Sequence, residues 1–164
     1  RAWLAGLYPA RRLCDRGSAD RALGAGLAAF GAGGGSYVLR TYYQLRVGCA
    51  HLEVQQGRAS RVPRESRLCR LCSGEDAPPA VKQAVLSRTG TAENVEDLKH
   101  FVLECPVYDD LRACCDALPA SLYEQLDQPD CMLHVFGHED QAGLARTLHR
   151  MKSRRATMLG LPFV

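Results

Sequence analysis

The chain has 164 residues, of which 46% are hydrophobic and 24% charged, and its formal net charge is only +3. This length and composition predict one small globular domain with an appended arm, and they exclude a chain that is strongly basic as a whole. There is no signal peptide and no apolar run near the roughly 20 residues that span a bilayer, so we expect an intracellular protein in a reducing compartment. The chain begins at Arg1 rather than Met, which indicates a fragment of a longer product.

The first 35 residues are predicted to form a helical arm and a linker. Ser18 to Phe30 is rich in alanine and favours a helix, and the glycine-rich run at residues 31–35 is typical of a flexible boundary. A second helix is predicted to begin at Ser36. Its core face is expected to consist of Val38, Tyr42, Leu45, Cys49 and Leu52. A base-stacking role for Tyr42 or Tyr43 is the alternative to a core role.

Positive charge is concentrated between residues 40 and 70, where the sequence has seven arginines and two glutamates. Five of these arginines recur at every third position, and we call them the arginine strip: Arg58, Arg61, Arg64, Arg67 and Arg70. Because Gly57 and Pro63 disfavour one continuous helix, the strip is predicted to be extended or rich in turns. Guanidinium groups bind phosphate through two parallel hydrogen bonds, so the strip is predicted to contact RNA or DNA phosphates.

Four residues have the types and spacing of a structural zinc site: Cys69, Cys72, His100 and Cys105. They form a C-x2-C pair and an H-x4-C pair separated by 27 residues. Three thiolates and one imidazole fill the four positions of tetrahedral Zn2+ and leave none for water, so we expect one structural zinc ion.

Two alternatives to this interpretation remain open. The first is that the thiols are unliganded or redox-active, although a redox C-x-x-C opens a helix after a strand, whereas Ser73 and Gly74 follow here. The second concerns the basic residues near the site. Three thiolates around Zn2+ leave about one net negative charge, which Arg67, Arg70 and Lys99 would balance without binding nucleic acid.

The second ligand pair lies in a predicted helix. Asn94 is expected to cap this helix, and Glu96 and Asp97 suit the positive end of its dipole. Pro106 should end the helix by about Glu104 and begin the next one, which is predicted to run to about Leu118. This places Cys105 at an N-cap position, where free backbone N–H groups are expected to lower the pKa of its thiol.

The remaining segments are predicted from their patterns. The segment from Ser73 to Thr91 is expected to be an exposed, flexible insert with a short helix around Val81 to Leu86. A last amphipathic helix is predicted from about Glu139 to Leu159. Its inward residues are expected to be Leu144, Leu148 and Met151, and its C-terminal half carries Arg150, Lys152, Arg154 and Arg155.

Two further motifs are considered and set aside. Cys131, His134 and His138 form a C-x2-H-x3-H pattern, but they supply only three ligands in a stretch with the apolar residues of an ordinary core. Tyr108-Asp109-Asp110 is similar to a polymerase motif, yet it lacks the residue between the tyrosine and the aspartates. Because the sequence contains no other catalytic pattern, we expect no enzymatic activity from this chain.

The segment from Leu45 to Arg112 resembles the zinc-binding domain that follows the reverse transcriptase in non-LTR retrotransposon polyproteins. The resemblance rests on Gln44-Leu-Arg-Val-Gly48, Gly57-Arg58, Val62-Pro63-Arg64, Arg67-Leu-Cys69-Arg-Leu-Cys72, and His100-Phe-Val-Leu-Glu-Cys105-Pro106-Val-Tyr108 with Arg112. It covers about 70 residues, and the insert between Cys72 and His100 is long for the family. It implies a nuclear location, whereas the sequence by itself leaves nucleus or cytoplasm open. It also implies two partners, which are RNA or DNA and the remainder of the polyprotein. We expect no membrane partner and no small-molecule substrate.

Together these features predict a mainly α-helical domain that is stapled by one Cys3His zinc site. The expected organisation is an arm and linker at residues 1–35, a zinc-binding module at residues 36–118 and a C-terminal helical extension at residues 119–164. The expected function is non-catalytic contact with nucleic-acid phosphates during reverse transcription or integration. The alternative is a purely structural zinc-stabilised module that packs against the rest of the polyprotein.

Overall fold

The computed structural model describes residues 35–119, 122 and 131–162 of the chain. The predicted arm at residues 1–35, with its helix from Ser18 to Phe30, therefore lies almost entirely outside the described residues.

The prediction of a mainly helical fold is confirmed. Six α-helices form the described part, and they are α1 (Gly35–Arg46), α2 (Glu53–Ala59), α3 (Pro79–Thr89), α4 (Asp109–Arg112), α5 (Cys131–Gly137) and α6 (Gln141–Leu159). Shorter helical turns cover Arg64–Ser66, His100–Glu104 and Pro106–Tyr108. Within the described residues, β pairing is limited to one antiparallel bridge between Leu68 and Val95. None of the described helices is both long and apolar enough to cross a membrane.

Helices α1 and α6 pack against each other and form the centre of the core. The predicted inward residues of α6, Leu144, Leu148 and Met151, are fully buried, and so is Leu45 of α1. These side chains repeat at three- and four-residue intervals, so each helix presents one apolar face to the other. The C-terminal segment therefore shares one hydrophobic core with the residues around the predicted zinc site.

The predicted core face beyond Leu45 is wrong at Cys49, which is exposed. Helix α1 ends at Arg46, and Gly48 takes a left-handed conformation with φ +74°. This conformation suits glycine because it has no Cβ, and it turns the chain away from the helix axis. Leu52 is still buried, but it lies at the start of α2 and not on the face of α1.

Helix α3 is longer than the short helix predicted in the insert, and one of its faces is not exposed. Pro79 occupies the first turn, and Gly90, with φ +72°, ends the helix through an N–H bond to the Leu86 carbonyl. Val85 is fully buried and joins the main core, whereas Leu86 on the next position is exposed. The insert therefore contributes a packed helix beside the segment that carries the second ligand pair.

Candidate metal centre

The first ligand pair lies in a tight turn that follows the Leu68–Val95 bridge. The Cys69 N–H donates to the Asn94 carbonyl at 2.8 Å, and the Ser73 N–H donates to the Cys69 carbonyl at 2.8 Å. A Cβ on Gly74 would lie 2.5 Å from the Arg70 carbonyl oxygen, so only glycine allows the chain to leave the turn so closely. The predicted turn at Cys69–Cys72 is present, and backbone bonds attach it to the chain that leads to His100.

The helix that carries the second pair begins later than predicted. Asn94 does not cap it, because the Asn94 carbonyl is bonded to Cys69 and the bridge residue Val95 comes next. The cap is Asp97, whose Oδ1 accepts from the His100 N–H at 3.0 Å. Glu96 also departs from its predicted place near the helix dipole, since it is buried and paired with Arg155.

His100 and Cys105 are joined by one turn of π-helix. The Cys105 N–H donates to the His100 carbonyl at 2.8 Å, which is an i to i+5 hydrogen bond. In an α-helix, residues five apart lie about 140° apart around the axis. The wider π turn reduces this angle, so the H-x4-C spacing places both side chains on one side.

The four predicted ligands are brought together in one buried cluster. All four side chains are at most 1% exposed, and the ligand atoms lie within 4.8 Å of one another. Cys72 Sγ and His100 Nε2 are 3.2 Å apart. Tetrahedral zinc with Zn–S bonds of about 2.3 Å needs sulfur atoms about 3.8 Å apart. The cluster therefore has the size and donor set to hold one metal ion.

Hydrogen bonds within the cluster shift the proton affinities of its members. Bonds from Cys105 and Cys69 lower the pKa of Cys72 although burial opposes this. Burial also acts against a charged imidazole, yet bonds with Cys69, Cys72 and Glu104 raise the pKa of His100 to about 12. The predicted lowering at Cys105 is wrong, because the nearby Cys69 and Cys72 thiols, followed by burial, raise its pKa. The neighbouring sulfurs outweigh its N-cap position, where Pro106 supplies no N–H.

The second nitrogen of His100 faces a carboxylate that sequence reasoning missed. Glu104 Oε2 lies 3.5 Å from His100 Nδ1, and Glu104 Oε1 pairs with Lys99 Nζ at 3.0 Å. Burial raises the pKa of Glu104, but the nearby His100 ring and Lys99 ammonium outweigh it and the net shift is downward. A carboxylate on one imidazole nitrogen leaves the other nitrogen for a metal. An acidic residue four positions after the histidine is the sequence signal for this contact.

Four members of the arginine strip are exposed. Arg58 is exposed near the end of α2, and Arg70 is exposed within the Cys69–Cys72 turn. Arg61 is also exposed and has a left-handed φ of +57°. Arg64 is exposed as well, and it pairs with Asp97 at 2.7 Å. Arg58 lies in α2, whereas the strip from Arg61 to Arg70 is rich in turns, as predicted, and leads directly into the first ligand pair.

Arg67 has a different role from the one predicted for it. Its guanidinium turns inward and donates to the Val62 carbonyl at 2.5 and 2.8 Å and to the Val54 carbonyl at 2.9 Å. Its side chain crosses Gly57 so closely that a Cβ there would lie 2.6 Å from Arg67 Cγ. Arg67 thus ties the loop of the strip to α2, and it does not present its charge to a ligand.

The two motifs that were set aside form no second site in the described part of the chain. Cys131 is buried and His134 is exposed, while the ring of His138 accepts from the Asp140 N–H. Among the described residues, the Cys3His cluster is the one group of three or more histidine, cysteine or acidic side chains that lie close enough to hold a metal ion. Asp109 and Asp110 of the polymerase-like motif are paired with arginines.

No family model, curated protein or solved structure matches this chain. The interpretation of the site therefore depends on its own residues and their geometry.

Proposed function

We propose that this chain is a non-catalytic zinc-binding module of a retrotransposon reverse transcriptase, and that it contacts the phosphates of RNA or DNA. The observation that carries the proposal is the position of the arginine strip beside the buried Cys3His cluster, with Arg70 between two of the ligands. In this arrangement the metal would hold the end of the strip at Arg70, and the bonds of Arg67 to the Val62 and Val54 carbonyls tie its loop to α2.

Zinc is the proposed metal because of the ligand set. Thiolates and imidazole suit Zn2+, and four protein ligands occupy every position of a tetrahedral ion. A site closed in this way binds no water and activates no substrate, so the proposed role of the ion is to hold the ligand turns together.

The proposed phosphate contacts are Arg58, Arg61 and Arg70, with Arg64 available if it exchanges Asp97 for a phosphate. Arg58 and Arg61 have no ion pair with any residue of the described ranges. Guanidinium groups that are already exposed need little rearrangement to bind phosphate, and they supply affinity without a choice of sequence.

A second candidate function is favoured by the Arg64–Asp97 pair. This ion pair links the strip to Asp97, the cap of the helix that carries His100, which we call the ligand helix. Such a link is expected of a charge that stabilises the fold. On this alternative, the chain is a zinc-stabilised structural module that packs against the rest of the polyprotein and does not touch nucleic acid.

The salt dependence of nucleic-acid binding distinguishes the two functions. We expect a triple variant with Arg58, Arg61 and Arg70 changed to glutamine to bind single-stranded RNA or DNA more weakly. The slope of log K against log salt should become shallower by about 2, because each lost phosphate contact contributes about 0.7.

A matched control removes three exposed arginines elsewhere, and these are Arg40, Arg146 and Arg150. This control should leave the slope close to that of the wild type. Equal slopes in the wild type and the strip variant, or an equal loss in the control, would rule out the arginine strip as the binding surface. Absence of binding by the wild-type chain would favour the structural alternative.

A further inference from the structure

The chain leaves the ligand helix at a point where backbone carbonyls lose their usual partners. In an α-helix the Val102 carbonyl would accept from the N–H of residue 106, but Pro106 has none. The Tyr108 N–H bonds to the Cys105 carbonyl at 3.3 Å, so the Glu104 carbonyl also lacks its helical donor. Two arginine side chains supply donors for this end of the helix.

Arg112 is the first of these donors. It is one of the largest fully buried side chains of the described fold, at 1% exposure. Its Nη1 donates to the Val102 carbonyl at 3.2 Å, and its Nη2 donates to the carbonyl of the ligand Cys105. Arg112 therefore replaces the missing proline N–H and binds the backbone of a metal ligand directly.

Arg88 is the second donor, and it comes from α3 in the segment between the two ligand pairs. Its Nη1 donates to the Glu104 carbonyl at 2.8 Å, next to Cys105 in the chain. Both Nη atoms also bind the Asp109 carboxylate, each at 2.9 Å. Helix α3 is thereby attached to the turn that carries the second ligand pair.

Asp109 joins the two arginines. Its Oδ1 accepts from Arg112 Nη2 at 2.6 Å, and the same carboxylate binds Arg88. Burial raises the pKa of Asp109, but the bonds from Arg88 and Arg112 outweigh this and hold it below its usual range. Asp109 is therefore ionised at neutral pH. We call Arg88, Asp109 and Arg112 the arginine clamp.

We propose that the arginine clamp positions Cys105 for the metal, and that α3 acts through Arg88 to slow the loss of the bound ion. This inference rests on the proposed metal binding. Release of a chelated ion begins when one ligand moves away, and the clamp restrains the backbone on both sides of Cys105. The clamp also assigns a role to the long segment between the ligand pairs, which is to close one side of the metal centre.

The test uses Co2+ as the probe, because its thiolate complexes absorb visible light, and follows its release to a chelator in excess. Arg88→Gln is the main variant, since Arg88 is partly exposed, whereas Arg112 is buried. Arg112→Lys is the second variant, which keeps the charge but loses the paired donors. Contacts behind metal ligands typically change metal affinity by about 10- to 100-fold, so we expect both variants to release Co2+ at least about tenfold faster.

Arg154→Gln is the matched control. Arg154 pairs with Asp110, the neighbour of Asp109, through two bonds of 2.5 and 2.7 Å, and it donates to the Val107 carbonyl and not to the Glu104 or Cys105 carbonyl. Its variant should release Co2+ within about twofold of the wild type, since it leaves the backbone around Cys105 restrained. Thermal unfolding of each loaded protein separates a loss of general stability from a faster release.

Wild-type release rates in Arg88→Gln and Arg112→Lys would overturn the clamp while leaving metal binding intact. Equal acceleration in Arg154→Gln would overturn it as well, because the effect would then follow from any lost ion pair. A wild-type chain that takes up no Co2+ would instead refute the proposed metal function, and the clamp with it.

Discussion

Replacement of Arg155 by methionine is expected to destabilise the fold by about 3 to 5 kcal/mol. Arg155 of α6 and Glu96, which precedes the ligand helix, are 5% and 1% exposed. Arg155 Nε and Nη2 donate to the two oxygens of Glu96, each at 2.7 Å, and Nη2 lies 3.3 Å from Glu53 Oε1. Without Arg155, the buried Glu96 carboxylate keeps the Glu53 N–H, at 2.9 Å, as a donor.

The loss should be mainly electrostatic, because methionine fills much of the volume of the arginine stem. Burial, followed by the charge of Glu96, already raises the pKa of Glu53, which indicates that a second carboxylate in this place is unfavourable. Changing both Glu96 and Arg155 to methionine removes the unpaired charge. We therefore expect the double variant to recover most of the lost stability, since a buried ion pair replaced by apolar residues is often neutral in effect.

The assay is urea unfolding at pH 7 with the same free metal concentration for every variant, because ligand binding contributes to apparent stability. Arg154→Met is the control: its side chain is 32% exposed and its partner Asp110 is 65% exposed. An exposed pair of this kind contributes about 0 to 1 kcal/mol. The reasoning would be refuted if Arg155→Met unfolded like Arg154→Met, or if the double variant were as unstable as the single one.

Two further changes test the loop of the strip and the metal centre. Gly57→Ala should destabilise the fold by about 1 to 3 kcal/mol in urea unfolding, because its Cβ would displace Arg67. Gly137→Ala is the control, since a Cβ there meets nothing within 4 Å. Equal losses of stability in the two variants would contradict the role of Gly57. Cys105→Ser should lose the bound metal in elemental analysis, whereas the exposed Cys114→Ser should keep about one ion per chain. Since the pKa of His100 is raised to about 12 and that of Cys105 is also raised, metal uptake at pH 7 should release protons and weaken as pH falls. Uptake without proton release would count against this ligand set.

Local features of the fold followed from the sequence wherever a few neighbouring residues decide the outcome. The last helix begins at Gln141 and ends at Leu159, against a prediction of Glu139 to Leu159, because Asp140 caps it and Gly160 ends it. The turn at Cys69 and the break at Pro106 were predictable for the same reason. The four candidate ligands were predicted from their residue types and spacing, and the structure places them in one cluster.

Other features depend on partners that are distant in the chain, and periodicity carries no information about them. The sequence pattern predicts Arg67 and Arg155 as exposed basic residues. In the structure, Arg67 donates to the Val54 carbonyl and Arg155 donates to the Glu96 carboxylate, so both side chains turn inward. Asn94 is a plausible helix cap, but its carbonyl is bonded to the Cys69 N–H beside the bridge between Leu68 and Val95, and the helix begins later. An arginine is buried only where the folded chain supplies enough acceptors to replace water.

The sequence by itself therefore determined the class of the fold and the identity of the metal-ligand candidates, since helix periodicity and ligand spacing are local properties. Only the tertiary structure decided which charges face solvent and which support the site. Glu96 and Arg155 are 59 positions apart, and Arg88 meets Asp109 from a segment with no apparent role in the sequence. The cost of burying such a charge is offset only when its partner is buried beside it, and the packing of α6 and α3 places the two partners of each pair next to each other.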